Sequence, residues 1–253
     1  MYSILIIVPT KNSYKTVKKL VSSLNQQTDQ YWRVIFIDYK SDKFFKNYLK
    51  NLCQFNKKFS IIEQISDTGI YGAMNIGFEL IQINEWILFW GSDDYAFNNK
   101  SIENIRKEIK TYNSQDLIIF QGRFVNHSTG ISNSSNHFSS LNTQNINAYK
   151  YKNILFKGFR QPHQGTLINP RNNLKSLKYN TKFTLAADLN FYLDCTKIKN
   201  LKVRIVRKNI VNIGEGGISR RKNIVRFKEV INIYFKYFKF LFFVPFVLRY
   251  IKC

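Results

Sequence analysis

Carboxylates are scarce in this chain, with 16 Asp and Glu against 39 Lys and Arg. Their positions therefore matter. Asp38 follows the apolar run Arg33–Ile37, and Asp93-Asp94 follow Glu85–Trp90 after a Gly91-Ser92 turn. Two adjacent carboxylates behind a buried strand repel each other and lose hydration unless a cation neutralises them. A hard divalent ion, held by one or two carboxylates and completed by substrate phosphates, would do so. The same residue types also suit a helix N-cap, where Asp is favoured.

The elements that carry these residues alternate. Ser3–Val8, Arg33–Ile37, Phe59–Ile65, Glu85–Trp90 and Leu117–Gln121 are short apolar runs, which predict strands. Between them, Ser13–Gln27, Phe44–Phe55, Ile70–Ile81 and the stretch from Ser101 to Tyr112 carry helical spacing, with Ser101 as a cap. Strands apolar on both faces, separated by helices, mean an α/β fold with a doubly wound, mostly parallel sheet. In such a sheet ligands bind beyond the carboxyl ends of the strands. Asp38 and Asp93-Asp94 fall on that rim. Farther on, Gly165–Asn169 and Leu201–Val206 read as strands, Ala187–Lys197 as a helix, and residues 126–147 as loops or a short hairpin.

Composition bounds the classes. Hydrophobic residues are 44% and charged residues 22% of 253, which is ordinary globular usage and argues against disorder or coiled coil. The net charge of +23 attracts polyanions, whether nucleic acid, anionic lipid or phosphorylated substrates. Richness in Lys, Asn, Ile, Phe and Tyr is also what an AT-rich genome produces. The basic residues are scattered, so nucleic acid is not the expected partner. Cys53, Cys195 and Cys253 form no CxxC pair, which disfavours a zinc knuckle and suits a reducing compartment. Met1–Pro9 lacks a basic leader and cleavage site, and reads as a buried strand. The longest uncharged apolar run, Phe240–Leu248, is under half of the ~20 residues a membrane span needs.

At this point the motifs resemble a known family. Ile6-Ile7-Val8-Pro9-Thr10-Lys11-Asn12 is similar to the first strand and loop of family 2 glycosyltransferases of the GT-A fold. Asp38-Tyr39-Lys40-Ser41-Asp42 resembles a degraded form of their Asp-Gly-Gly-Ser-Thr-Asp loop. The segment from Ser66 to Gly77 resembles the branch that builds capsule, O-antigen and colanic acid. Trp86–Asp94 resembles the strand bearing the family's Asp-x-Asp type metal motif. The likeness covers residues 3–97 well. It continues loosely through His163-Gln164 and Ala186-Ala187-Asp188 to Gly216–Ser219. The chain departs from the pattern at Tyr39 and Lys40, which replace small residues, and at Gly72, where a carboxylate is common.

The resemblance implies roles. Pro9, Thr10 and Asn12 line a nucleotide pocket, and Asp38 accepts from the base. Asp67, Gly69, Tyr71 and Asn75 contact the nucleotide and the donor sugar. Asp94 holds Mn²⁺ or Mg²⁺ against the donor diphosphate, and Asp93 holds the ribose or the metal's water. Asp188 is the base for the acceptor hydroxyl, and the single displacement inverts the anomeric centre. Arg160, His163, Gln164 and Arg220 are weaker candidates for acceptor or diphosphate contacts. The implied partners are a nucleotide-diphosphate sugar, UDP-linked, and a saccharide acceptor carried on a lipid.

The expected organisation is a transferase domain over 1–224, with a nucleotide-sugar half to about 122, followed by a basic-aromatic helical segment over 225–253. That segment suits a helix lying in a membrane interface, kinked at Pro245, which places the protein on the inner face of the cytoplasmic membrane. Packing on the catalytic domain or a dimer contact are the other uses of such a segment. A nucleotidyltransferase also uses a doubly wound sheet and a carboxylate-held metal, but Pro9–Asn12 lacks the Gly-rich phosphate loop such enzymes use. A non-enzymatic polyanion-binding protein would show clustered Lys and Arg on one face.

Overall fold

The computed structural model describes residues 2–126, 141–171, 174–215 and 223–251. Strand β1 (Ser3–Thr10) is followed by helix α1 (Tyr14–Asn25), β2 (Trp32–Asp38), α2 (Lys43–Phe55), β3 (Phe59–Glu63), α3 (Gly69–Glu79) and β4 (Glu85–Phe89). Then come β5 (Tyr95–Ala96), α4 (Ser101–Thr111), β6 (Leu117–Val125), β7 (Gln144–Asn147), α5 (Ala148–Phe156) and β8 (Thr166–Ile168). The order closes with α6 (Ala187–Cys195), β9 (Lys202–Gly214), α7 (Asn223–Phe238) and α8 (Phe243–Ile251).

The strands form one sheet in the order β3-β2-β1-β4-β8-β6-β9-β5, with β7 paired to β9. β1, β2, β3 and β4 pair in parallel, as do β6 and β9, while β8, β5 and β7 run antiparallel to their neighbours. Side chains alternate across a strand. Ile4, Ile6 and Val8 therefore pack with α1, α2 and α4 on one face, and Leu5 and Ile7 pack with α3, α5, α6 and α7 on the other. This is the doubly wound sheet that continuous apolar runs dictate.

Three local expectations change. Ser101 is the first helical residue of α4, not the cap before it, and its hydroxyl accepts from the Asn98 amide. β9 runs on to Gly214, well past Val206, pairing with β6 across a register shift near Gln121 and with β5. The C-terminal segment breaks before Pro245. A 3-10 turn at Lys239–Leu241, with Lys239 at φ 50°, separates α7 from α8. Pro245 lies in the first turn of α8, where its missing N–H has no intrahelical partner to lose.

Candidate active site

A cavity of about 480 Å³ opens beyond the carboxyl ends of β1, β2, β3 and β4. That size suits a small-molecule ligand. Pro9, Thr10, Asp67, Gly69 and Asp93 of the expected residues line it, joined by Lys11, Tyr39 and Gln64. A second hollow, of about 580 Å³ beside Asp116 and Lys202, lies at the amino ends of β6 and β9 and is lined by none of the expected residues.

The first two loops are locked together. Asp38 is fully buried and accepts from Thr10 Oγ1 (3.1 Å), from the Ser41 amide (3.2 Å) and from the Ser41 hydroxyl. Asn12, at φ 50°, donates its amide N–H to Ser41 Oγ (2.8 Å) and accepts from the Asp42 amide (2.8 Å). Asp38 and Asn12 thus hold the wall, and neither lines the cavity. Much of the Asp38 acceptor capacity goes to its own neighbours. From this loop Tyr39 faces the cavity, flanked by the ammonium groups of Lys11 (4.9 Å from the ring centroid) and Lys40 (5.4 Å).

α3 forms the floor. Gly69 starts it at φ 66°, a left-handed conformation that favours glycine. Gln64 donates to Thr68 Oγ1 (2.8 Å), and Thr68 fills the space a side chain at Gly72 would need. A carboxylate at 72 therefore has no room unless Thr68 moves. At Gly77 a Cβ would lie 2.5 Å from Ile7 Cγ1, so this glycine permits close packing of helix on sheet. Asn75, expected at the donor sugar, instead exchanges two hydrogen bonds with the Tyr179 backbone (2.9 and 2.8 Å) and does not line the cavity.

Asp93 and Asp94 divide their tasks. Asp93 lines the cavity, whereas Asp94 is only 1% exposed. Asp94 accepts from the amides of Gly91 (2.6 Å) and Gly214 (3.1 Å), which ties the loop after β4 to the end of β9. Burial, then the neighbouring Asp93 charge, push the Asp94 carboxyl well above the usual carboxylate range, against the pull of those amides and the Gln164 side chain. Asp93 is thus the more accessible carboxylate of the pair, with Asp94 behind it.

The donor set fits Mn²⁺ or Mg²⁺ of a particular kind. Among the described residues no three His, Cys, Asp or Glu side chains cluster, so the protein supplies no full cage. Hard ions bound through one or two carboxylates take their remaining oxygens from water and substrate phosphates. Gly91 keeps the approach open, since a Cβ there would lie 2.7 Å from Asp93 Oδ1 and 3.1 Å from Asp94 Oδ2.

Asp188 stands in the first turn of α6, half-buried, and accepts from the Tyr71 hydroxyl (3.3 Å). Tyr71 is therefore a partner of Asp188 and does not line the cavity. Burial, with the Asp188 charge adding, raises the Tyr71 phenol well above its ordinary value, so it remains a donor. His163 stacks on Phe89 and meets the Tyr179 hydroxyl through Nε2 (3.0 Å). Burial lowers its pKa against the opposing pull of Asp188. The side chain of the next residue, Gln164, hydrogen-bonds Asp94.

Arg160 points elsewhere than expected. It donates through Nε (3.1 Å) and Nη2 (2.8 Å) to the Arg249 carbonyl and stacks on Tyr250, so it grips α8. Arg220 lies outside the described residues. Glu229 of α7 was not anticipated. It accepts from the amides of Thr184 (2.7 Å), Leu185 (2.9 Å) and Ala186 (2.9 Å), just before the helix that carries Asp188. Its one sequence signal is that no other carboxylate occurs between Asn223 and Ile251.

The mostly parallel sheet with acidic residues at its carboxyl rim matches the fold of GT-A glycosyltransferases. The chain belongs to glycosyl transferase family 2, whose model matches residues 5–166. A PGL/p-HBAD biosynthesis glycosyltransferase of Mycobacterium tuberculosis is 24% identical over 223 residues, covering 85% of this chain and 78% of that protein. Among solved structures, S. aureus TarS 1-349 in complex with UDP-GlcNAc superposes with a TM-score of 0.71 at 15% identity, covering 99% of this chain and 73% of that one. A further crystal structure of S. aureus TarS 1-349 gives 0.70 at 15% identity and covers 92% of this chain, which spans 64% of that chain's length. Mannosyltransferase PcManGT from Pyrobaculum calidifontis, in complex with GDP-Man and Mn²⁺, gives 0.64 at 14% identity, covering 98% and 70%.

Proposed function

We propose that this protein transfers a sugar from a UDP-linked donor to a lipid-borne saccharide acceptor, with inversion, in surface polysaccharide biosynthesis at the cytoplasmic face of a bacterial membrane. The observation that carries the reading is the division of acids. Asp93 and Asp67 face the cavity, while Asp188 stands apart under Tyr71. A donor diphosphate brings its own charge and therefore needs a cation at Asp93. A base needs a separate carboxylate near the acceptor.

In this reading Tyr39, Thr10 and Gln64 border the nucleotide, and Asp93, backed by Asp94, would hold Mn²⁺ or Mg²⁺ against the diphosphate. The ion would neutralise charge on the leaving group. Asp188 takes the proton of the acceptor hydroxyl. That oxygen then bonds to the anomeric carbon from the face opposite the diphosphate, the carbon–diphosphate bond breaks, and UDP departs with its electron pair. Tyr71 steadies the Asp188 carboxylate. Related structures, TarS in complex with UDP-GlcNAc and PcManGT in complex with GDP-Man and Mn²⁺, support a nucleotide-sugar donor and a divalent ion.

The test is a transfer assay with UDP-sugars and lipid-linked saccharides, with the product anomer read by NMR. Asp188→Asn should abolish transfer while leaving donor binding intact. Product of retained configuration, or full activity in Asp188→Asn, would overturn the assignment.

A further inference from the structure

α7, the 3-10 turn and α8 present an apolar surface that nothing in the described fold covers. Phe240 is 87% exposed and Leu241 56%, at the tip. Phe243, Val247 and Ile251 recur every fourth residue and so form one exposed stripe along α8. Phe235 of α7 joins them through its ring contact with Phe242. Soluble monomers seldom leave so many large apolar side chains contiguous.

The surroundings of this surface are basic. Lys239 is exposed on the turn, Lys236 is exposed on α7 while also donating to Asn190 Oδ1 (3.1 Å), and Lys152 of α5 lies over the Phe238 ring at 5.7 Å. Glu229, the one carboxylate of these helices, is engaged with the backbone before α6. Pairing this face with a second copy would press the two basic rims together. An apolar face rimmed by lysines instead complements anionic headgroups over acyl chains. Neither helix spans a bilayer: no described helix is long and apolar enough, and α8 is roughly 14 Å long against ~30 Å of hydrocarbon.

We propose that the α7–α8 pair is a docking surface for an anionic lipid bilayer, with Phe240, Leu241, Phe243, Val247 and Ile251 entering the interface and Lys236 and Lys239 meeting the headgroups. It supplies the surface for the membrane-face location proposed above and rests on that reading only for its purpose. The docking helix is also tied to the site. Glu229 of α7 accepts from the amides of Thr184, Leu185 and Ala186, just ahead of the helix that carries Asp188. An acceptor embedded in the same bilayer would therefore meet the protein on the Asp188 side.

The test is flotation of the full chain with vesicles of phosphatidylcholine alone and of phosphatidylcholine mixed with phosphatidylglycerol. Binding is expected to the mixed vesicles, weaker at high salt. Each of Lys236→Gln and Lys239→Gln should lower the partition about fivefold. Phe240→Ser/Leu241→Ser/Phe243→Ser should reduce it by about tenfold or more, with an unchanged melting temperature. The lysine variants keep the test decisive should the triple variant misfold. No binding to anionic vesicles would overturn the proposal, as would equal binding by all variants. So would a concentration-dependent dimer, seen in sedimentation velocity, that the triple variant dissolves. Transfer to a soluble acceptor should survive these substitutions, so failure of docking and failure of the transferase reading are told apart.

Discussion

Glu229 Oε2 accepts the Ala186 N–H at 2.9 Å, across the junction between α7 and the helix that bears Asp188. Its other oxygen takes the Thr184 amide and hydroxyl (2.7 and 2.8 Å). One side chain from the C-terminal segment thus satisfies the free donors ahead of α6 and fixes where Asp188 stands. Negative charge is favourable at a helix N-terminus. The C-terminal helices consequently belong to the candidate site as much as to its periphery.

Glu229→Ala should therefore cost about 1.5–3 kcal/mol, the usual scale for hydrogen bonds to a charged group. It should also lower kcat more than it raises KM, because Asp188 loses its support while the donor cavity is untouched. Urea denaturation and steady-state transfer kinetics check both. Unchanged stability with unchanged kcat would mean that these hydrogen bonds are idle.

Gly158 is the hinge of the α8 contact. It adopts φ 76°, and a Cβ there would lie 2.6 Å from Leu248 C and 2.8 Å from Arg249 Cα. Gly158→Ala should destabilise by about 1–3 kcal/mol through backbone strain and displaced packing. Limited proteolysis should release the C-terminal helices earlier than in the parent. Equal cleavage rates would show that α8 is held by other contacts.

His163 makes stability pH-dependent in a defined direction. Burial holds its folded pKa below the ordinary value of 6.5. The unfolded chain then takes up the proton first as pH falls. The neutral His163 contribution is full above about 6.5 and is lost as pH drops from there toward the folded value. His163→Gln should flatten the fall of melting temperature across that window. A variant that keeps the parent slope would place the titration elsewhere.

The sequence spelled out the sheet more plainly than the site. Ser3–Val8 and Glu85–Trp90 are apolar on both faces, so burial and parallel pairing follow from the run alone. Gly77 likewise marks close packing of α3 on β1. The motif residues were recognisable, but what each side chain touches depends on chain segments far away in sequence. Asp38 is claimed by Thr10, Asn75 by Tyr179, and Asp94 by Gly214, at separations that no local pattern encodes. β5 escaped notice for the same reason: two residues acquire strand geometry only because β9 runs past them. Glu229 could be flagged as a lone acid in a basic helix, but its partners could not.

Ligand-induced stabilisation tests the metal-assisted nucleotide site at Asp93. Melting temperatures would be recorded with UDP and with GDP, each with Mn²⁺ and with chelator, for the parent and Asp93→Asn. A nucleotide at about 100 times its dissociation constant adds about 2.7 kcal/mol of stability, a clear shift. A UDP shift that needs Mn²⁺ and disappears in Asp93→Asn is expected. No shift with either nucleotide, or a UDP shift indifferent to both the chelator and Asp93→Asn, would contradict it.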